Sequence, residues 1–252
     1  MEAGIKKQKS AARRHEAVAN MARPQRITPA PWTVLYAALF AAYGPQYWWP
    51  AQTKFEMILG AYLTQATSWR SVERSLENLR AADLLNINGI RKTSAEDLRA
   101  LIRPSGFAIR KSASIHAFVE FLDQHHGGSL DQLRQQSAAI TRQQLLELPG
   151  VGAETADAIL LYALDHPAIV VDEYLRRVGR RHALPSPAAT DAELRASAVT
   201  LLNQPETMAP RIAHATSLED AKEFHALIVE VGKRHCGPTP RCEGCPLQKY
   251  LP

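Results

Sequence analysis

The carboxylate of Asp172 is the side chain of this sequence best placed to do chemistry. It follows a short apolar stretch, Ala168 to Val171, and precedes a predicted helix that begins at Glu173. An Asp at a helix start commonly caps the helix with one carboxylate oxygen, which leaves the other oxygen free. The free oxygen can stabilise positive charge that develops on a sugar and can activate a water molecule. A cap and a catalytic carboxylate are therefore compatible roles for Asp172.

A glycine-containing turn precedes this carboxylate, and Gly152 lies twenty residues before it. The segment 146–160 predicts a helix, a tight turn through Gly150, Val151 and Gly152, and a second helix rich in small residues. Glycines permit positive φ and let a phosphate approach the backbone closely. The first amides of the second helix carry the positive end of its dipole. Such a hairpin can bind a DNA phosphate without reading sequence, although an ordinary helix corner gives the same pattern.

Helical periodicity dominates the chain from Pro31 onward and predicts an all-α fold. Strand-like alternation is nearly absent, and the one β-branched run, 169–171, is short. Residues 1–27 are polar and basic, which predicts a disordered tail, with a DNA-binding arm as the alternative. Apolar residues recur at three- and four-residue spacing in 32–43, 55–64, 71–79, 95–102, 111–122, 141–148, 154–164, 173–180, 191–202 and 219–232.

The charge balance and the apolar runs bound the class of protein. Lys and Arg outnumber Asp and Glu by 30 to 25, a mild surplus that suits a polyanionic partner without requiring one. No apolar run reaches the length of a bilayer, and the N-terminus lacks the apolar core of a signal peptide. We therefore expect a soluble intracellular protein that does not bind membranes.

The segment from Leu148 through Asp172 resembles the hairpin and catalytic Asp of the endonuclease III superfamily of DNA glycosylases, and the resemblance runs from about Trp48 to Cys245. It implies two helical domains with DNA in the cleft between them and Asp172 at its mouth. One domain, of six helices, spans 55–165 and ends in the hairpin; the other combines 28–54 with 166–252. The implied partner is double-stranded DNA containing damaged bases, bound by a monomer in the cytoplasm at the bacterial nucleoid.

The residue two positions after Gly152 decides the expected chemistry. Bifunctional members of the superfamily carry a lysine there, whose amine attacks the sugar and leads to strand cleavage. This sequence has Glu154, and a carboxylate cannot form an imine. We therefore expect a monofunctional enzyme that uses water and leaves an abasic site. Glu154 either orients the water or the base, or is simply a favourable acid in the first turn of its helix.

A second group of motifs is similar to the bacterial 3-methyladenine DNA glycosylase branch: 48–50, 55–61, 63–65, 103–107 and 154–160. This similarity implies that Trp48, Trp49 and Trp69 line a pocket and stack on a flipped, alkylated purine. A cationic base such as 3-methyladenine gains from contact with electron-rich indoles. It also implies that Gln65 fills the gap that base flipping leaves in the duplex. The alternatives are core tryptophans and a surface glutamine.

All three cysteines, Cys236, Cys242 and Cys245, lie near the C-terminus. Many superfamily members hold a 4Fe–4S cluster there with four cysteines, and Leu251 stands about where the fourth would fall. The alternatives are a cluster completed by His235 or by an exogenous ligand, a three-iron or labile cluster, and a relic of the site. A zinc ion bound with His235 is a further alternative, although adjacent ligands strain its geometry.

Three rival functions remain at this point. One is a glycosylase for oxidised pyrimidines or mismatched bases. Another is a non-catalytic helix-hairpin-helix protein that binds DNA, which would have no need of Asp172. The third is a structural iron–sulfur protein, which requires that DNA binding be absent.

Overall fold

The computed structural model describes residues 29–48, 51–203 and 217–252, and over these residues the fold is all-α, as the sequence predicts. The basic segment 1–27 and Trp49 lie outside the described residues. No helix within the described ranges is long and apolar enough to cross a membrane. The α-helices are α1 Trp32–Tyr43, α2 Lys54–Leu63, α3 Trp69–Ala81, α4 Ile87–Lys92, α5 Ala95–Ile102, α6 Ala108–His126, α7 Leu130–Arg134, α8 Ala138–Glu147, α9 Ala153–Ala158, α10 Glu173–Arg181, α11 Asp191–Val199 and α12 Ser217–Arg234.

Side-chain caps explain where several helices begin. The side-chain oxygen of Ser94 accepts the amide hydrogen of Asp97 at the start of α5. Thr190 forms a reciprocal capping box with Glu193 at the start of α11. These caps satisfy amides that have no partner inside their helices, and they fix the helix registers that the rest of the fold uses.

The buried apolar side chains form two clusters. The larger one is built mostly by α2 to α9 and is centred on side chains such as Ile58, Tyr62 and Phe118. The smaller one joins α1 to α10, α11 and α12, where Trp32 packs edge-to-face on Phe224 at 5.7 Å. Segments far apart in the sequence therefore meet in the second cluster, because α1 packs against the C-terminal helices.

The glycine turn between α8 and α9 is tightly built. Gly150 has φ of +78°, and a Cβ at this position would lie 2.3 Å from the Ser114 hydroxyl oxygen, so both conformation and space require glycine. Gly152 is the exposed N-cap residue of α9, and nothing lies within 4 Å of where its Cβ would be. After α9 the chain continues as a π-helical turn, Ile159–Ala163, which brings Tyr162 into the buried region beside α12.

Candidate active site

A cavity of about 550 Å³ opens beside the hairpin, and its volume suits a small organic ligand such as a nucleobase. Five residues that the sequence singled out line it, although they come from four separate segments: Trp48, Gln65, Trp69, Glu154 and Asp172. The structure therefore brings together the two carboxylates, two of the three tryptophans expected to line a pocket, and the glutamine expected to fill the gap left by a flipped base.

Asp172 caps α10 with one oxygen and leaves the other toward the site. Its Oδ1 accepts the amide hydrogen of Leu175 at 2.7 Å, which confirms the expected cap. Its Oδ2 lies 3.6 Å from Nε2 of His225. The residue is only 8% exposed, so the carboxylate acts in a region where water screens charge poorly.

Glu154 lies on the first turn of α9, on the wall of the same cavity. Partial desolvation, followed by the negative charge of Asp172, raises the pKa of Glu154 above its usual value. Arg176 counters this only in part, because its Nη1 is 3.6 Å from Glu154 while its guanidinium donates to Asp191 at 2.8 and 2.9 Å. The two carboxylates together present negative potential to any ligand in the cavity.

Trp48 forms one aromatic wall, and a carboxylate from α12 sets its position. The two oxygens of buried Glu223 accept the amides of Gln46 and Tyr47, at 2.7 and 2.9 Å. This grip fixes the chain immediately before Trp48, whose ring packs edge-to-face on His225 at 5.3 Å between centroids. The position of the indole therefore depends on the C-terminal helix.

Trp69 and Tyr174 also line the cavity. Trp69 is the first residue of α3 and is half-buried. The ring of Tyr174 packs directly on the backbone of α12 at Gly232, where an added Cβ would lie 2.2 Å from the tyrosine Cδ1. Gly232 thus provides the space that Tyr174 occupies.

Gln65 lies against the hairpin. Its amide nitrogen donates to the backbone oxygen of Gly150 and to the hydroxyl of Thr155, each at 2.9 Å. The loop that carries Gln65 is anchored by buried Lys111, whose ammonium group donates to the backbone oxygens of Leu63 and Ser105 at 2.8 and 2.7 Å. Entry of Gln65 into a duplex would require it to exchange both of its hairpin bonds for bonds to DNA.

The sequence model of the HhH-GPD superfamily base excision DNA repair proteins matches residues 59–204. The match contains the hairpin, Glu154 and Asp172, and it covers more than half of the chain. This chain belongs to the HhH-GPD superfamily.

Relatives and solved structures agree with this membership. A protein of Methanocaldococcus jannaschii provisionally named a DNA repair glycosylase is 37% identical over 217 residues, which is 86% of this chain and 93% of the relative. The H. pylori 3-methyladenine DNA glycosylase, solved with 1,N6-ethenoadenine, superimposes with a TM-score of 0.67 at 29% identity, covering 81% of this chain and 98% of that one. An endonuclease III–DNA covalent intermediate also gives 0.67, at 21% identity over 87% and 92%. The last shares the fold alone.

The sequence did not point to several residues of this HhH-GPD site, among them Tyr162, Glu223 and His225. Tyr162 and His225 both sit beside Trp48, and Glu223 holds the chain before it. A weak signal existed, because Glu223 precedes apolar Leu227 by one helical turn and so falls on the buried stripe of α12. A charged residue on such a stripe needs a partner, which the sequence alone could not name.

The three cysteines of this HhH-GPD protein lie near one another at the C-terminus. They line a small cavity together with Leu251 and His182, and Arg181 donates to Cys236 Sγ at 2.9 Å. Burial, and then the charges of Cys236 and Cys242, raise the pKa of the Cys245 thiol. Among the described residues, no set of three or more Cys, His, Asp or Glu side chains is arranged to hold a metal ion. The residues present therefore do not fit a cluster held by four protein thiolates.

An iron–sulfur cluster held by the three cysteines and completed by His235 or by a ligand from outside the protein stays a prediction. Protein purified without oxygen should then contain iron and acid-labile sulfide, and Cys242→Ser should remove both, because only three thiolates are available. Ser10→Ala, in the basic N-terminal segment, serves as a matched control that should keep them. Iron-free wild-type protein with full base-excision activity would contradict the prediction.

Proposed function

We propose that this HhH-GPD glycosylase is monofunctional and hydrolyses the N-glycosidic bond of a flipped, alkylated purine such as 3-methyladenine in duplex DNA. Asp172 stabilises the positive charge that develops on the sugar and activates the attacking water. Trp48 and Trp69, with Trp49, hold the base, and Gln65 fills the gap in the duplex. The backbone of Gly150, Val151 and Gly152 binds a phosphate of the damaged strand.

One observation carries the proposal: a single cavity is lined by the carboxylate residues Asp172 and Glu154 and by the half-buried Trp48 and Trp69. Aromatic walls bind the face of a base, and negative charge beside them favours a cationic base and a cationic sugar. An alkylated purine supplies both positive charges, first on its ring and then on the sugar as the bond breaks.

The hydrolytic outcome rests on Glu154. No amine stands at this position, so an imine with the sugar cannot form through it. The similarity to the H. pylori 3-methyladenine DNA glycosylase, at 29% identity over nearly all of that protein, supports the alkylated-purine substrate.

A second candidate substrate, a neutral oxidised or mismatched base, is favoured by Lys233. This side chain also lines the cavity, and its Nζ lies 5.8 Å from the centroid of Trp48. A lysine there repels a cationic base and can donate to a base carbonyl. The summed charge of these cavity-lining side chains is still negative, because the two carboxylates of Glu154 and Asp172 outweigh the one ammonium group of Lys233.

The test is release of free bases by the wild-type protein from a panel of duplexes, without an alkali step. We expect free 3-methyladenine from methylated DNA at a rate well above the enzyme-free rate, with an abasic site as the only other product. Release of oxidised pyrimidines or of mismatched thymine or uracil, without release from methylated DNA, would establish the second candidate instead. If the protein binds every duplex but releases no base, it would be a non-catalytic DNA-binding protein.

A further inference from the structure

A chain of three buried polar side chains leads into the candidate site. The hydroxyl of Tyr162 lies 2.7 Å from Nδ1 of His225, and Nε2 of His225 lies 3.6 Å from Oδ2 of Asp172. Tyr162 is 2% exposed, His225 6% and Asp172 8%. Because Oδ1 of Asp172 already accepts the amide of Leu175, the imidazole faces the carboxylate oxygen that remains for chemistry.

We propose that His225 is a positioning residue for Asp172, and that Tyr162 holds the imidazole in the tautomer and orientation this role requires. The inference rests on the proposed function, since it concerns the carboxylate that the proposed reaction uses.

The tautomer follows from the two contacts. A hydroxyl that donates to Nδ1 leaves the proton of the neutral ring on Nε2, where it points toward the carboxylate of Asp172. The opposite tautomer would turn a nitrogen lone pair toward that carboxylate, which is repulsive. Burial, and then the negative charges of Asp172 and Glu223, raise the pKa of Tyr162 well above its usual range, so the hydroxyl keeps the proton that it donates.

The distance between His225 and Asp172 defines how the imidazole acts. At 3.6 Å the contact is longer than a hydrogen bond, so the N–H orients the carboxylate by electrostatic attraction. Such contacts commonly shorten when a site closes on its substrate.

Trp48 couples this arrangement to the base pocket. Its ring packs edge-to-face on His225 at 5.3 Å and on Tyr162 at 6.2 Å between centroids, with interplanar angles of 69° and 80°. The indole therefore holds the imidazole in place and also lines the cavity. His225 therefore contacts both Trp48, which is proposed to bind the base, and Asp172, which is proposed to act on the sugar.

The experiment measures single-turnover base release and, separately, the Kd for a duplex with an uncleavable abasic-site analogue. Tyr162→Phe and His225→Leu should each slow base release about tenfold while Kd stays within about twofold, since what is lost is one oriented polar contact. His225→Gln keeps an N–H donor and should recover part of the rate. Tyr36→Phe is the matched control: it removes a buried tyrosine bond to α12, at Asp220, and should leave the rate unchanged.

A double-mutant cycle separates positioning from a structural role. In an Asp172→Asn background, Tyr162→Phe should cause no further loss, because the carboxylate it acts upon is gone. An equal loss in both backgrounds, a matching loss of DNA affinity, or an unchanged rate in His225→Leu would overturn the inference while leaving the proposed function standing. Absence of base release by the wild type would refute the proposed function and this inference with it.

Discussion

Replacing Asp172 by Asn is expected to lower the rate of base release by about 10²–10⁴-fold, the usual range for loss of a catalytic acid–base or electrostatic group. The asparagine oxygen can still accept the amide of Leu175, so the start of α10 is kept. What disappears is the negative charge on Oδ2. Single-turnover release of 3-methyladenine from methylated DNA measures the effect.

The affinity for DNA should be retained or improved in Asp172→Asn, because a buried anion near a phosphate backbone opposes binding. Thr190→Ala serves as the matched control, since it removes the cap of α11 and should cost about 1 kcal/mol of stability with no change in rate. A mutant that keeps the wild-type rate would remove Asp172 from the mechanism. If the mutant loses both base release and its helical circular dichroism signal, the role of Asp172 would be only structural, as the cap of α10.

Glu154→Lys is expected to convert the enzyme into one that forms a covalent intermediate with DNA. The wild type should give no complex that borohydride can trap, and the mutant should give one, with strand cleavage in the absence of alkali.

Glu154→Gln is the control for this gain, because it removes the same charge without adding an amine and should remain untrappable. Borohydride trapping of the wild type would show that another amine attacks the sugar, and the monofunctional assignment would then be wrong. Lack of trapping in Glu154→Lys, with base release intact, would show that position 154 does not reach the sugar.

The sequence could predict the parts of the site that have a local signature. The cap at Asp172, the turn at Gly150 and the acid at 154 depend on neighbouring residues only, and each lies where the pattern indicated. The all-α class followed from apolar periodicity. These features are set by backbone geometry over one or two helical turns, which is the range that sequence patterns describe.

The contacts behind the site could not be predicted, because their partners are far apart in the chain. Tyr162 and His225 are separated by 63 residues, and Glu223 lies 177 residues after the Gln46 amide it accepts. The π-helical turn at 159–163 also shifts the residues after it out of the α-helical register that the periodicity assumes. Long-range packing decides such pairs, and a single sequence does not record it.

The grip of Glu223 on the backbone of Gln46 and Tyr47 has a consequence for the order in which the protein becomes active during its synthesis. The part of the protein that contains the hairpin can fold while the ribosome is still synthesising the chain, because the larger apolar cluster is formed mainly by residues 55–164. Trp48 cannot take its place until α12, near the end of the chain, has been made. A product that lacks α12 would therefore contain the hairpin but would not hold Trp48 in position. If the proposed function is correct, such a product would bind DNA without excising bases.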